Sequence, residues 1–126
     1  MDEPEPKQLV WVGSSRRELR EFPTAVRRSF GVALFAVQLG ETPLDAKPLR
    51  GFGGAGVLEL IEDHRGDTYQ MAYTVRFANR IYVLHAFQKK SKSGIATPRR
   101  ELDLIKQRLR EAEAIAKRRG DEQKDV

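Results

Sequence analysis

Cysteine is absent from the 126-residue chain, which excludes disulfides and thiolate metal sites. That absence fits a reducing cytoplasm, the compartment the sequence suggests. Histidine is scarce, with only His64 and His85. Two separated histidines among scattered carboxylates show no metal-ligand spacing, so neither a metal nor a cofactor is expected. Long apolar runs are also missing. The one nearest the N-terminus, Leu9 to Val12, is too short for a signal peptide or a membrane span, so no membrane partner is expected.

Acidic residues are missing from one stretch in particular. Between Ala86 and Arg100 there are five bases (Lys89, Lys90, Lys92, Arg99 and Arg100) and no acid. The chain as a whole carries 23 Lys+Arg against 18 Asp+Glu, a formal charge of +5, so the distribution matters more than the total. A local basic patch suits a polyanion such as nucleic acid, and a solvated charged surface is the other reading of the same run. With 40% hydrophobic and 33% charged residues, the composition is that of a soluble globular domain.

The pattern along the chain predicts an acidic arm over residues 1–6, one domain over 7–120 and a frayed tail over 121–126. Lys7 to Gly13 alternates as a first strand. Ser15-Arg16-Arg17-Glu18 has the spacing of a capping box at a helix start, and Pro23 ends that short helix. Val26, Phe30, Ala33, Leu34 and Val37 make the apolar stripe of a second helix that Gly40 stops. A loop rich in glycine and proline runs from Glu41 to Ala55. Its Gly53-Gly54 pair lacks the Lys-Ser/Thr of a phosphate-cradling loop and leads to a strand, so nucleotide binding is rejected there.

A three-stranded meander follows. Val57 to Glu62 is its first strand, and Thr68 to Phe77 is the clearest alternation in the chain. Tyr69, Met71, Tyr73, Val75 and Phe77 share one face; Thr68, Gln70, Ala72, Thr74 and Arg76 share the other. Arg80 to Gln88 returns as a third strand. Thr97-Pro98 starts a last helix whose stripe is Leu102, Ile105, Leu109, Ala112 and Ala116, and Gly120 stops it. The order β-α-α-β-β-β-α is that of an α+β domain, with a small antiparallel sheet and helices packed on one face. The other face is left exposed, with Gln70, Thr74 and Arg76 on it.

Tyr73-Thr74-Val75-Arg76-Phe77, then Tyr82 through Phe87-Gln88-Lys89-Lys90-Ser91-Lys92, then Gly94 to Pro98, resemble the phage-derived, HigB-like branch of the RelE/ParE toxin superfamily. Lys47-Pro48-Leu49 before a glycine-rich loop and a Leu-Glu-Leu strand resembles it too. The resemblance implies a RelE/ParE-like fold and the toxin of a type II toxin–antitoxin pair. Such toxins cut mRNA in the ribosomal A site without metal, and an antitoxin silences them, commonly a helix-turn-helix protein. The ribosome and mRNA are then partners as well. This chain departs from the pattern at one point: where relatives read Tyr-Arg, it has Tyr69-Gln70. Gln70 donates a hydrogen bond but offers neither charge nor a bidentate fork to phosphate. Arg76, on the same predicted face, is the alternative source of charge.

Cutting RNA without metal requires a base for the 2′-hydroxyl, an acid for the leaving 5′-oxygen and positive charge on the phosphorane. By resemblance, Lys89 and Lys90 correspond to basic active-site positions and bind phosphate, with Lys92 in support. Tyr82 is either an acid–base or base-stacking residue, or simply strand packing. His85 shares its strand face with apolar residues and is either a core histidine or a catalytic one. Lys47, Arg50, Arg65 and Gln70 complete the candidate RNA contacts. Two other functions stand beside the ribonuclease: a ParE-like toxin that inhibits DNA gyrase by contact, and a prophage relic that only binds its antitoxin or rRNA.

Overall fold

In the structure, a computed structural model, residues 5–54, 56–89 and 97–120 are described. The elements are β1 (Gln8–Trp11), α1 (Ser15–Arg20), α2 (Thr24–Gln38), β2 (Lys47–Pro48), β3 (Val57–His64), β4 (Asp67–Thr74), β5 (Arg80–Lys89) and α3 (Arg99–Arg119). The expected α+β order is present, with β2 as an added two-residue strand. Five strands form one sheet in the order β1-β5-β4-β3-β2.

Three pairings are antiparallel, but β1 lies parallel to β5, with Gln8 opposite Arg80 and Trp11 opposite Val83. The sheet is therefore mixed, not antiparallel throughout. The β3–β4 turn puts Arg65 at φ 50 and Gly66 at φ 85. Two successive left-handed residues are what a two-residue hairpin with native twist requires.

Helices cover both faces of the sheet, which corrects the expectation of one covered face. Leu19 of α1 and Val26, Phe30, Leu34 and Val37 of α2 pack on Leu60, Met71, Tyr73, Ile81 and Val83. On the opposite face, Ile105, Leu109, Ala112 and Ala116 of α3 pack on Val57, Ala72, Tyr82 and Leu84. Strand alternation sends Ile81 and Val83 one way and Tyr82 and Leu84 the other. Gln70 and Thr74, expected on a bare face, are fully buried beneath the α3 layer. Each large apolar side chain on these stripes contributes roughly 1.5–3 kcal/mol by leaving water.

A bulge interrupts β5. Ala72 pairs with His85 and Tyr73 with Val83, leaving Leu84 as the extra residue. Parity reverses there, so His85 and Phe87 share the α3 face with Leu84 instead of following Ile81 and Val83. Here β1 also stops pairing, and α1 begins after a turn at Gly13. That glycine has φ +55, and a Cβ on it would lie 3.0 Å from Arg108 Nε. Gly40 has φ +88 with nothing within 4 Å of a Cβ. Both sites penalise a side chain through the backbone, but only Gly13 penalises it also through contact. Gly13→Ala is expected to cost about 1–3 kcal/mol, measurably more than Gly40→Ala in urea unfolding. Equal losses would mean that the Arg108 contact carries no weight.

Candidate active site

Past Val83 the outer edge of β5 has no strand partner, and side chains satisfy its backbone instead. Ser15 Oγ donates to the Val83 carbonyl (3.0 Å), Arg108 Nη1 to the Leu84 carbonyl (2.9 Å), and the Ala86 amide to Glu18 Oε1 (3.2 Å). This changes the reading of the first helix. The N-cap is Ser14, with no side-chain cap bond, and its hydroxyl donates to Glu18 Oε2 (3.0 Å). Glu18, expected to close a capping box with Ser15, turns inward.

There it meets two cationic groups. Arg108 Nη1 lies 2.8 Å from Glu18 Oε1, and Arg108 Nη2 lies 3.1 Å from Oε2. His85 Nδ1 lies 2.9 Å from Glu18 Oε1, and its Nε2 lies 2.5 Å from Glu101 Oε2. The two hydrogens of Arg108 Nη1 are committed to Glu18 and the Leu84 carbonyl, so Nδ1 is the donor toward Glu18. Burial alone would raise the Glu18 carboxyl. Hydrogen bonds from His85 and Arg108, the His85 charge and the Ala86 amide outweigh it and hold that carboxyl well below the carboxylate range. His85, at 5% exposure and stacked on Phe87 at 4.7 Å, belongs to this buried network.

A second polar group lies on the same sheet face, beyond the N-terminal end of α3. Gln70 is fully buried, and its Nε2 donates to Glu59 Oε2 (2.5 Å) and to Thr97 Oγ1 (3.0 Å). Thr97, expected to cap α3, instead ties the chain before the helix to the sheet; the N-cap position is Pro98. Glu59 is half-buried, between Lys47 of β2 and Ala72 of β4. Burial raises its carboxyl above the ordinary range, against the charges of Lys89 and Lys47. Lys89, at 6% exposure, sits opposite Thr68 at the end of β5.

The expected site residues divide between the two ends of this face. Gln70 bonds Glu59, Lys47 lies opposite it on β2 and the charge of Lys89 acts on it, whereas Arg65 stands at the β3–β4 hairpin tip, six residues along the chain from Glu59. Arg76 lies past the far end of β4, where Nη1 pairs with Glu113 at 2.7 Å. Gln70 to Thr74 alone spans about 13 Å, Arg76 lies two residues further on and its guanidinium is engaged by Glu113, so Arg76 does not replace charge beside Gln70. The exposed Arg50 follows β2 toward that far end. Tyr82 is a core residue, fully buried edge-on against Phe77 at 5.2 Å. Lys90 and Lys92 lie outside the described residues. Glu18, Glu59, Glu101 and Arg108 were not singled out from the sequence. Their partners are up to 90 positions away, which local spacing does not register.

A cleft of about 520 Å³ opens at the elbow of α1 and α2, lined by Phe22, Pro23, Tyr69, Glu21 and the Ala86–Gln88 edge. No lysine or arginine among the described residues lines it. Among the described residues no group of His, Cys, Asp and Glu is placed to hold a metal, and no helix is long and apolar enough to cross a membrane.

The family model for phage-derived Gp49-like proteins matches residues 17–110, from α1 through most of α3. The chain belongs to the Gp49-like family. The match takes in both polar clusters of the α3 face and agrees with the resemblance read from Tyr73 to Pro98. Among solved structures, the toxin–antitoxin complex RelBE2 from Mycobacterium tuberculosis is similar at 21% identity. That likeness covers 68% of this chain and all of that one, with a TM-score of 0.47. No curated protein matches the chain.

The Gp49-like chain carries one carboxylate whose removal separates structure from chemistry. Glu18→Gln is expected to destabilise by on the order of 3 kcal/mol at neutral pH, because it leaves Arg108 buried without its anion and removes one of the two carboxylates on His85. The folded carboxyl is depressed, so its contribution is present above the ordinary value of 4.5 and is lost as pH falls below it. Urea midpoints of wild type and Glu18→Gln should therefore converge on acidification; a constant gap would contradict the ionic account.

Proposed function

We propose that this Gp49-like protein is the toxin of a type II toxin–antitoxin system and cleaves mRNA on the ribosome without metal. The observation that carries the reading is Glu59, a carboxyl raised by burial and flanked by Lys89 and Lys47. A carboxyl raised above its usual value is a stronger base toward a 2′-hydroxyl than an ordinary carboxylate. The two lysines supply the charge that a phosphorane requires. Lys47 is exposed on β2 and Lys89 is buried at the end of β5.

Gln70 is spent on Glu59 and Thr97, so it orients the base and does not grip phosphate. That is how the chain manages with glutamine at the position where relatives carry arginine. Lys90, Lys92 and Arg65 add basic contacts in this reading, and the ribosome contributes the alignment that a small site cannot supply. The protein acts in the cytoplasm and is silenced by an antitoxin, a helix-turn-helix protein of the HigA-like kind.

Purified protein should cut a defined mRNA at codon-phased positions only when programmed ribosomes are present. Glu59→Gln should lower the rate about 10²–10⁴-fold and abolish the fall in rate on the acid side. Lys89→Ala should move that fall to higher pH, because Lys89 lowers the Glu59 carboxyl. Full cleavage by folded Glu59→Gln would overturn the assignment of the base. DNA breaks without RNA cleavage would favour the gyrase-inhibiting reading.

A further inference from the structure

α2 has an outer stripe that the fold does not use. Thr24, Arg27, Arg28, Gly31, Val32 and Phe35 fall at i, i+3, i+4, i+7, i+8 and i+11, all exposed. Val32 is 73% and Phe35 53% exposed, two of the large apolar side chains left in water. Arg27 reaches only Thr24 Oγ1, at 3.1 Å, and among the described residues no carboxylate pairs with Arg27 or Arg28. One half of the stripe is therefore cationic and the other apolar.

Gly31 lies between the halves. Glycine inside a helix costs about 1 kcal/mol relative to alanine. A Cβ at Gly31 would meet nothing within 4 Å, so neither packing nor backbone conformation inside this molecule calls for it. A residue that weakens its helix without an internal use fits close approach by another backbone.

We propose that this stripe is the docking surface for an acidic amphipathic helix of the antitoxin. Its carboxylates would lie on Arg27 and Arg28, its apolar side chains on Val32 and Phe35, and its backbone would cross at Gly31. Guanidinium groups suit carboxylates through paired hydrogen bonds, and an exposed apolar patch rimmed by charge is the usual form of a protein-binding surface. The stripe lies on the α2 side of the sheet, opposite Glu59 and Lys89, so the antitoxin grips the toxin away from its chemistry. Only the identity of the partner rests on the toxin reading.

The test uses the full chain with the product of the open reading frame adjacent to its gene, purified separately and combined. Hydrogen exchange should show protection across α2 on binding. Phe35→Glu and Gly31→Gln should each weaken binding about 30-fold or more, and Arg27→Glu with Arg28→Glu should weaken it and flatten its salt dependence. Gly31→Ala should raise the Tm of the free protein by a few degrees, which checks that the glycine serves nothing internal. Unchanged affinity of folded Phe35→Glu and Gly31→Gln, protection confined to the Glu59 face, or no binding by wild type would overturn the proposal. Binding is read without cleavage, so an inactive wild type would count against the ribonuclease and leave the docking result standing.

Discussion

The fold turns on how the outer edge of β5 is completed where β1 ends. A parallel partner reaches only to Val83, Leu84 bulges, and the next backbone groups would be left buried without bonds. Leaving such groups unpaired costs about 1–3 kcal/mol each. Glu18 and Arg108 make these bonds from two different helices, and Ser15 adds a second bond to the Val83 carbonyl beside that of the Val12 amide. The Glu18 carboxylate is the common point: it accepts from the Ala86 amide, His85 and Arg108, and so ties α1, β5 and α3 together. Glu101 closes the set from the first turn of α3 and fixes where that helix begins over the sheet.

That placement leaves the sheet beyond the start of α3 for Glu59, Gln70, Lys47 and Lys89. The two carboxyl groups of this face are driven in opposite directions. Glu18 is buried but surrounded by donors and cations, and falls well below its ordinary value. Glu59 is half-buried, and there burial outweighs the charges of Lys89 and Lys47, so its carboxyl rises. Environments that separate like groups in this way can separate their roles as well: Glu18 ties the helices to the sheet, and the role proposed for Glu59 is that of the base.

Much of this was legible in the sequence. The alternation of β4 up to Thr74, the stripes of α2 and α3, and the glycine stops appear where periodicity put them, because those signals are local; the strand ends three residues before the expected Phe77, which packs on the α3 side and not with Tyr69. The basic end of β5 was singled out through resemblance, and Lys89, Lys47 and Gln70 each act on Glu59, by charge or by hydrogen bond. What failed was long-range. Nothing in Gln8 to Trp11 says that its partner is the parallel β5 rather than a neighbour in the chain. Ser15 and Glu18 fit a capping box by spacing, yet the uncapped edge of β5 claims both side chains. Tyr82 was a candidate through resemblance and Arg76 was placed beside Gln70 by strand parity, and neither signal carried information about the helix that buries one and pairs the other. Glu59 was hidden inside an ordinary Leu-Glu-Leu strand and becomes distinctive only through Lys89 and Gln70.

The central claim is that a carboxyl and two lysines, with no metal, activate a 2′-hydroxyl against its own phosphate. The chemistry of the fragment ends tests it most directly. Message cut on programmed ribosomes should carry a 2′,3′-cyclic phosphate upstream and a 5′-hydroxyl downstream, and a single 2′-deoxy substitution before the scissile phosphate should abolish the cut. Fragments ending in a 3′-hydroxyl and a 5′-phosphate would mean that water attacked the phosphorus, and the account of Glu59 would be wrong.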